Sequence, residues 1–315
     1  MTRTILLPLV FVFVSPIPVS WADQPGKVHD WPQWWGPDRS NVSRETGLLK
    51  QWPEGGPKLV WTARGLGEGV TSVAVAGGKV FTIGSKGDDE FAIALKVSDG
   101  QEVWRVKIGA APKEMAIMRW LSQRVPTLDD DRAYFVATTG ELICLHSATG
   151  KELWRINYLT DLEGKRGPWG FCDFPLVDGD RLIITPGGPS ATIAALDKRT
   201  GKVRWKCPAG EGFMAGHAVL KPAELGGVKQ YVHVLFGGMI GVSTDGKLLW
   251  RYTVARVRTA VTHAPIIRGD TIFYASGYGA GSVLVKVTRS NGEFKVDEVW
   301  KQPAANFRPG WAAPS

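Results

Sequence analysis

Cysteine is scarce in this chain. Its 315 residues hold three, Cys144, Cys172 and Cys207, with no Cys-x-x-Cys and no adjacent pair. That excludes a disulfide-stapled scaffold and a cysteine-rich zinc site. Histidine is nearly as scarce. His29, His146, His217, His233 and His263 show no His-x-x-x-His or His–Cys spacing, so no metal is expected. Lys and Arg outnumber Asp and Glu by 38 to 30, yet no run of five or more cations appears. Cations scattered in this way give no clustered basic footprint, and no nucleic-acid partner is expected. Nor does any segment carry a convincing 3.6-residue periodicity, which argues against a helical protein.

What the chain does have is glycine (38 residues), tryptophan (14 residues) and a hydrophobic content of 44%, enough for a large core. These residues recur in one unit. Leu196 ends a strand, Thr200-Gly201 turns, and a return strand reaches Trp205. The same unit runs from Leu95 through Asp99-Gly100 to Trp104, and from Leu145 through Thr149-Gly150 to Trp154. It returns from Asp245-Gly246 to Trp250 and, stretched, from Asn291-Gly292 to Trp300. The five tryptophans lie 45–51 residues apart. A fixed period of that size marks a repeat architecture.

Each repeat reads as four short strands. In the second, Arg124–Thr127 opens and Asp129-Asp130-Asp131 turns; Ala133–Ala137, Glu141–Leu145 and Lys151–Ile156 follow. In the third, Arg181–Thr185 and Ala191–Leu196 precede the Trp205 strand. Gly77-Gly78 and Gly269-Asp270 supply matching turns in the first and fifth. Short β-branched runs between Gly/Asp turns are strand signals, and tight hairpins place backbone at positive φ, where glycine is favoured. Four strands per ~50-residue unit predicts an all-β fold, a β-propeller of four-stranded antiparallel blades. Trp104, Trp154, Trp205, Trp250 and Trp300 are read as structural wedges between blades.

The chain divides on this reading into four parts. Residues 1–22 are a cleaved secretory signal: Arg3, the apolar run Ile5–Val14, a Ser15–Pro18 break, then Ser20-Trp21-Ala22 before Asp23. The apolar run is too short for a ~30 Å bilayer core, so no stable membrane anchor is expected after cleavage, although a retained anchor is the other reading. Residues 23–60 are a Trp/Pro-rich leader packed on the main body, 61–302 the propeller repeats, and 303–315 a tail. Exported, the chain is expected in the periplasm or outside the cell. There one of three cysteines has to stay unpaired within a monomer; Cys144 reads as a small core residue, and Cys172–Cys207 pairing is left open.

The unit Leu-(Asp)-x-x-Thr/Asp-Gly-x-x-x-Trp resembles the quinoprotein-like, or pyrroloquinoline-quinone-like, β-propeller repeat family. The leader Trp31-Pro32-Gln33-Trp34-Trp35-Gly36-Pro37-Asp38-Arg39, with Pro53–Trp61 after it, is similar to the start of secreted bacterial members. These are similar in turn to the propeller lipoprotein of the outer-membrane barrel assembly machinery. The resemblance covers about residues 31–302. Such propellers carry seven or eight blades, so five complete repeats read as an incomplete ring, with a five-bladed ring as the alternative. Pro57–Trp61 then looks like a lone outer strand closing a final blade.

The same family includes enzymes that hold the quinone between a Trp and an adjacent-cysteine disulfide, beside Ca²⁺ and a catalytic Asp. No adjacent cysteines and no assignable calcium ligands occur here, so no catalytic, cofactor-binding or metal residue is assigned. The expectation is a non-catalytic extracytoplasmic scaffold that binds proteins or ligands through loops and blade edges. The alternative is a quinone-dependent oxidoreductase, with pyrroloquinoline quinone and calcium as cofactors, or a degenerate relative. A carbohydrate-binding module using the Trp-rich leader is a third class.

Other motifs have ordinary readings. His217 and His263 stand at the start of first strands, near the axis, as satisfied structural histidines or channel-lining groups. Asp129-Asp130-Asp131 lacks the alternate spacing of a calcium loop. Gly277–Ser282 joins two strands, since no helix follows it to make a phosphate cradle. Lys165-Arg166-Gly167-Pro168-Trp169-Gly170, a loop with cations and an exposed-looking Trp, is the best loop candidate for partner contact. Asn41-Val42-Ser43 is a glycosylation sequon that would matter only in a eukaryotic secretory route.

Overall fold

A computed structural model describes residues 30–69, 71–111, 124–167, 169–253, 260–276 and 281–303. The signal segment, nearly all of the tail, His29, Pro168 and residues 277–280 lie outside them. Among the described residues, no helix is long and apolar enough to cross a membrane.

Five four-stranded antiparallel sheets follow one another along the chain, each in simple meander order. The first holds β1 (Ala74–Ala76), β2 (Lys79–Lys86), β3 (Asp89–Lys96) and β4 (Glu102–Ala110). The second holds β5 (Thr127–Asp129), β6 (Arg132–Val136), β7 (Glu141–His146) and β8 (Glu152–Asn157). The third holds β9 (Leu176–Asp178), β10 (Arg181–Ile184), β11 (Ile193–Asp197) and β12 (Val203–Cys207). In the fourth are β13 (Lys221–Leu225), β14 (Val228–Leu235), β15 (Gly238–Ser243) and β16 (Leu248–Tyr252). The fifth has β17 (Ile266–Arg268), β18 (Thr271–Ser276), β19 (Gly281–Ser290) and β20 (Glu293–Gln302). These are blades of an all-β propeller. Four apolar clusters fill the spaces between successive blades. The first also gathers Ala74, Val125, Phe174, Val219 and Ala264, one residue from each blade, at the axis.

One irregularity is repeated in every blade. The third and fourth strands slip register there, so that Val103, Leu153, Arg204, Leu249 and Val299 are the extra residues just before the tryptophans; the first blade slips a second time, at Ile108. Such a bulge adds local twist and re-aims the side chain that follows it. Behind it Trp104, Trp154 and Trp205 lean onto the hairpin glycine of the next blade. A Cβ on Gly150, Gly201 or Gly246 would come within 2.9, 2.7 and 2.6 Å of those indoles. The same glycines sit at φ of 71°, 72° and 90°. Glycine is therefore required twice, by conformation and by the neighbouring ring.

The wedge reading holds for the first three tryptophans and changes at the last two. Trp250 is buried but leans over its own blade, against Gly241, and donates to Gln230 Oε1 at 2.6 Å. Trp300 packs near Phe273 at 5.8 Å between ring centres and stays 39% exposed. The fifth blade's long hairpin carries its Gly292 away from any neighbour.

Trp61 repeats the wedge without a strand around it. It lies over Gly100, and its Nε1 donates to Val97 O at 2.7 Å, as Trp104 does to Ser147 O at 3.1 Å. Residues 57–61 form no strand ladder among the described residues, contrary to the strand expected there. A five-residue helix, α1 (Tyr158–Leu162), was also not expected; Asn157 caps it by accepting from Leu159 N and Thr160 N.

Candidate functional site

The leader supplies the most constrained charge in the molecule. Trp31 pairs with Val75 of β1 through two backbone bonds, which starts the leader on the axis. The chain then coils tightly, with Trp35, Gly36, Arg39 and Asn41 all at positive φ. Asn41 N donates to Trp35 O at 2.9 Å, and Gln33 Nε2 to Pro37 O at 2.9 Å. The coil turns Trp34 onto Phe174, ring centres 5.4 Å apart, and sends Arg39 into the interior.

Arg39 ties three parts of the chain together. Its Nε donates to Gln33 Oε1 at 3.0 Å, Nη1 to Leu220 O at 3.0 Å, and Nη2 to Phe174 O and Pro175 O at 2.8 and 2.6 Å. The carbonyls precede the first strands of the third and fourth blades. Burial pulls the guanidinium down to about 9, against the opposing pull of the Asp173 carboxylate. Asp173 is itself buried, and that raises its pKa; it accepts from Tyr158 OH at 2.7 Å, Thr185 N at 2.9 Å and Phe174 N at 2.9 Å. Outside this plug, Asp38, Lys221, Ala223, Ile267 and Gly269 line a cleft of about 360 Å³. The Lys221 ammonium lies 4.6 Å from the centre of the Trp35 ring.

Arg124 stands three residues before β5, as Asp173 does before β9 and His263 before β17. It forms a fully buried pair with Glu90 of β3, at 2.8 and 2.9 Å. Thr138 adds its N–H at 2.7 Å and its hydroxyl at 2.5 Å to the same carboxylate. Burial would raise the Glu90 pKa, but Arg124 and Thr138 outweigh it and hold the carboxyl below its usual range.

The four described histidines do not converge on one site. His263 is buried with Nδ1 3.3 Å from the Thr262 hydroxyl. His233, in β14, places Nε2 3.4 Å from the Thr185 hydroxyl, and burial holds it down to about 3. His146 accepts from Ala148 N within its hairpin. His217 lies beside Cys172, and burial holds it down to about 4. None of the three cysteines is in a disulfide, so Cys172 and Cys207 are not paired. Cys144 faces Trp154 across the β7–β8 ladder. Burial raises Cys144 and Cys207 to about 12 and about 11, far from thiolates at neutral pH. Asp129 ties its blade to the next through Lys198, at 2.6 Å. In the Lys165–Gly170 loop the two cations are exposed, but Trp169 is half-buried rather than exposed. Among the described residues no three His, Cys, Asp or Glu side chains come together as a metal site.

Arg39 and the Glu90–Arg124 pair were not singled out from the sequence. A lone arginine after three tryptophans was the available signal for the first; the second has none, because its partners are 34 residues apart.

Comparison with known proteins fits this architecture. The family model described as outer membrane protein assembly factor BamB matches residues 88–314. The chain belongs to the BamB family. The BamB of Burkholderia pseudomallei (strain K96243) is 25% identical over 191 residues, which are 57% of this chain and 42% of that protein. The chain thus spans less than half the length of that relative. The crystal structure of BamB from Moraxella catarrhalis superposes at a TM-score of 0.51 with 17% identity, over 77% of this chain and 64% of that one. This likeness shows the propeller fold. A quinohemoprotein alcohol dehydrogenase from Comamonas testosteroni superposes at 0.49 with 17% identity, over 85% and 49% of the two chains.

Proposed function

We propose that this BamB-family chain is a non-catalytic extracytoplasmic propeller scaffold that binds protein, in the context of outer membrane protein assembly. The carrying observation is a run of large apolar side chains left in water by the leader. Val42, Leu48, Leu49, Trp52, Leu59 and Val60 are all exposed, Trp52 at 67% and Val60 at 76%. Extended exposed apolar surface is a mark of protein or membrane contact, and six such side chains along one leader segment support the protein-binding reading. The relatives' own name, outer membrane protein assembly factor, supports a role of this type and a location outside the cytoplasm.

The described residues do not fit the quinone alternative. A quinone with its calcium needs a roomy polar channel and several oxygen donors. The axis instead holds Trp34, Trp35 and an arginine whose donors end on carbonyls and Gln33. The cysteines stand singly.

A photo-reactive amino acid at position 49 or 52, in the cells that make the protein, tests the reading. A discrete cell-envelope protein should be captured, and Leu59→Ser with Val60→Ser should reduce the yield at least several-fold. Stoichiometric uptake of pyrroloquinoline quinone with Ca²⁺ by the purified chain, followed by dye reduction with an alcohol, would overturn it.

A further inference from the structure

The pair formed by Cys172 and His217 has no role in the scaffold reading. Cys172 lies four residues before β9 and His217 four residues before β13. The chain thus brings a thiol and an imidazole from adjacent blade entries to one point. Cys172 Sγ is 3.9 Å from His217 Nε2, and both side chains are at least nine-tenths buried. They border a tight gap, too small to hold a water molecule, whose other walls are Gly167, Trp169, Gly170, Ala215, Gly216 and Phe236; Cys172 Sγ also lies 3.7 Å from Trp169 O, to which it donates.

We propose that Cys172 and His217 form a two-ligand site for one soft monovalent metal ion, Cu(I) in chemical class. The spacing suits it. With bonds of about 2.3 Å to sulfur and about 2.0 Å to nitrogen, a separation of 3.9 Å opens an angle of roughly 130° at the ion. That is wider than tetrahedral and on the way to the linear arrangement of two-coordinate monovalent ions. Thiolate and imidazole are the ligands that soft ions select.

Charge points the same way. The thiol gives up its proton to solvent as the sulfur–metal bond forms, and the neutral imidazole contributes the Nε2 lone pair. A thiolate with a monovalent cation is neutral overall. A divalent ion would leave a net charge in a gap walled mostly by glycine and aromatic residues, where an unpaired charge is costly. No third His, Cys, Asp or Glu joins the pair among the described residues, so a zinc ion wanting four ligands is poorly served.

The test is anaerobic titration of the purified chain with Cu(I) against a chromophoric chelator. One equivalent should bind, and Cys172→Ser and His217→Gln should each weaken it at least 100-fold. Cys144→Ala and Cys207→Ala should leave it unchanged. If the first two variants do not fold, alkylation of the unaltered chain decides. Cu(I) should protect Cys172 from iodoacetamide, read by peptide mass spectrometry, and leave Cys144 and Cys207 as they were. Binding lost with Cys144→Ala or Cys207→Ala, no stoichiometric binding, or no protection of Cys172 would overturn the site.

Discussion

A tryptophan in this chain does two things at once, and they can be separated. Trp104 fills the space between blades and also donates to Ser147 O at 3.1 Å. Trp205 fills the equivalent space, but its indole N–H finds no acceptor among the described residues. The fourth blade's hairpin has one residue fewer between β15 and its glycine than the earlier ones, and the Thr244 carbonyl there is taken by Arg181 at 2.6 Å. Trp104→Phe should therefore cost about 1 kcal/mol more than Trp205→Phe in urea denaturation, since only the first strands an acceptor. Equal losses would remove the argument. Gly201→Ala should lose about 2–4 kcal/mol, from the strained φ and from the Trp154 ring 2.7 Å away. Gly77→Ala has the strained φ without a neighbour within 4 Å, and should cost less. The tryptophan period was legible because it is one-dimensional. The ring resting on the glycine was not, because the two belong to different blades. Arg39 was illegible for a related reason: beside Asp38 and Ser40 it has the look of an exposed turn, and only the coil of positive-φ residues turns it inward.

Blades are built locally and joined by a few long-range polar ties, and the ties set how cooperatively neighbouring blades unfold. Glu90 belongs to the first blade; Arg124 and Thr138 belong to the second. Arg124→Met leaves a buried carboxylate with the two Thr138 donors and a long bond from Ser85 Oγ at 3.5 Å, and should cost about 3–5 kcal/mol in chemical denaturation. The double variant Glu90→Leu with Arg124→Met should recover a large part of that loss, because the pair's attraction is offset by its desolvation. A double variant no better than the single would show the pair to be net stabilising. This tie also explains where the strand reading slipped. Arg124–Thr127 was expected to open the second blade, but the ladder begins at Thr127, since Arg124 turns to Glu90 and Val136 O. Helix α1 escaped for want of length: five residues make little more than one turn, too short for a periodicity to show. The hairpins were legible because turn chemistry is local; the partners of buried charges are not.

Across the whole molecule, the buried histidines make acid a specific threat to the fold. His217 is held down to about 4 and His233 to about 3, each mainly by burial, against about 6.5 for an unfolded chain. Below pH 6.5 the unfolded chain takes up protons that the folded one refuses. Stability is thus complete above 6.5 and is lost as pH falls towards 4 and then 3. Carboxylates enter later. Glu90, held low by Arg124 and Thr138, withdraws its contribution only below about 4.5, and Asp173, raised by burial, acts in the opposite direction. The unfolding free energy, measured in urea at pH 7.5, 6.0, 5.5 and 5.0, should fall by on the order of 1–2 kcal/mol per unit once below 6.5. His233→Gln, which keeps a polar group near the Thr185 hydroxyl, should flatten that descent by about half while lowering stability at pH 7.5. The exposed apolar leader offers a control in the same assay. Trp52→Ser should leave both the plateau and the descent as they are, because its side chain rests mainly in water. A profile level from pH 7.5 to 5.0 would mean that the imidazoles reach solvent, and with it that the space between the third and fourth blades is open to water, not packed.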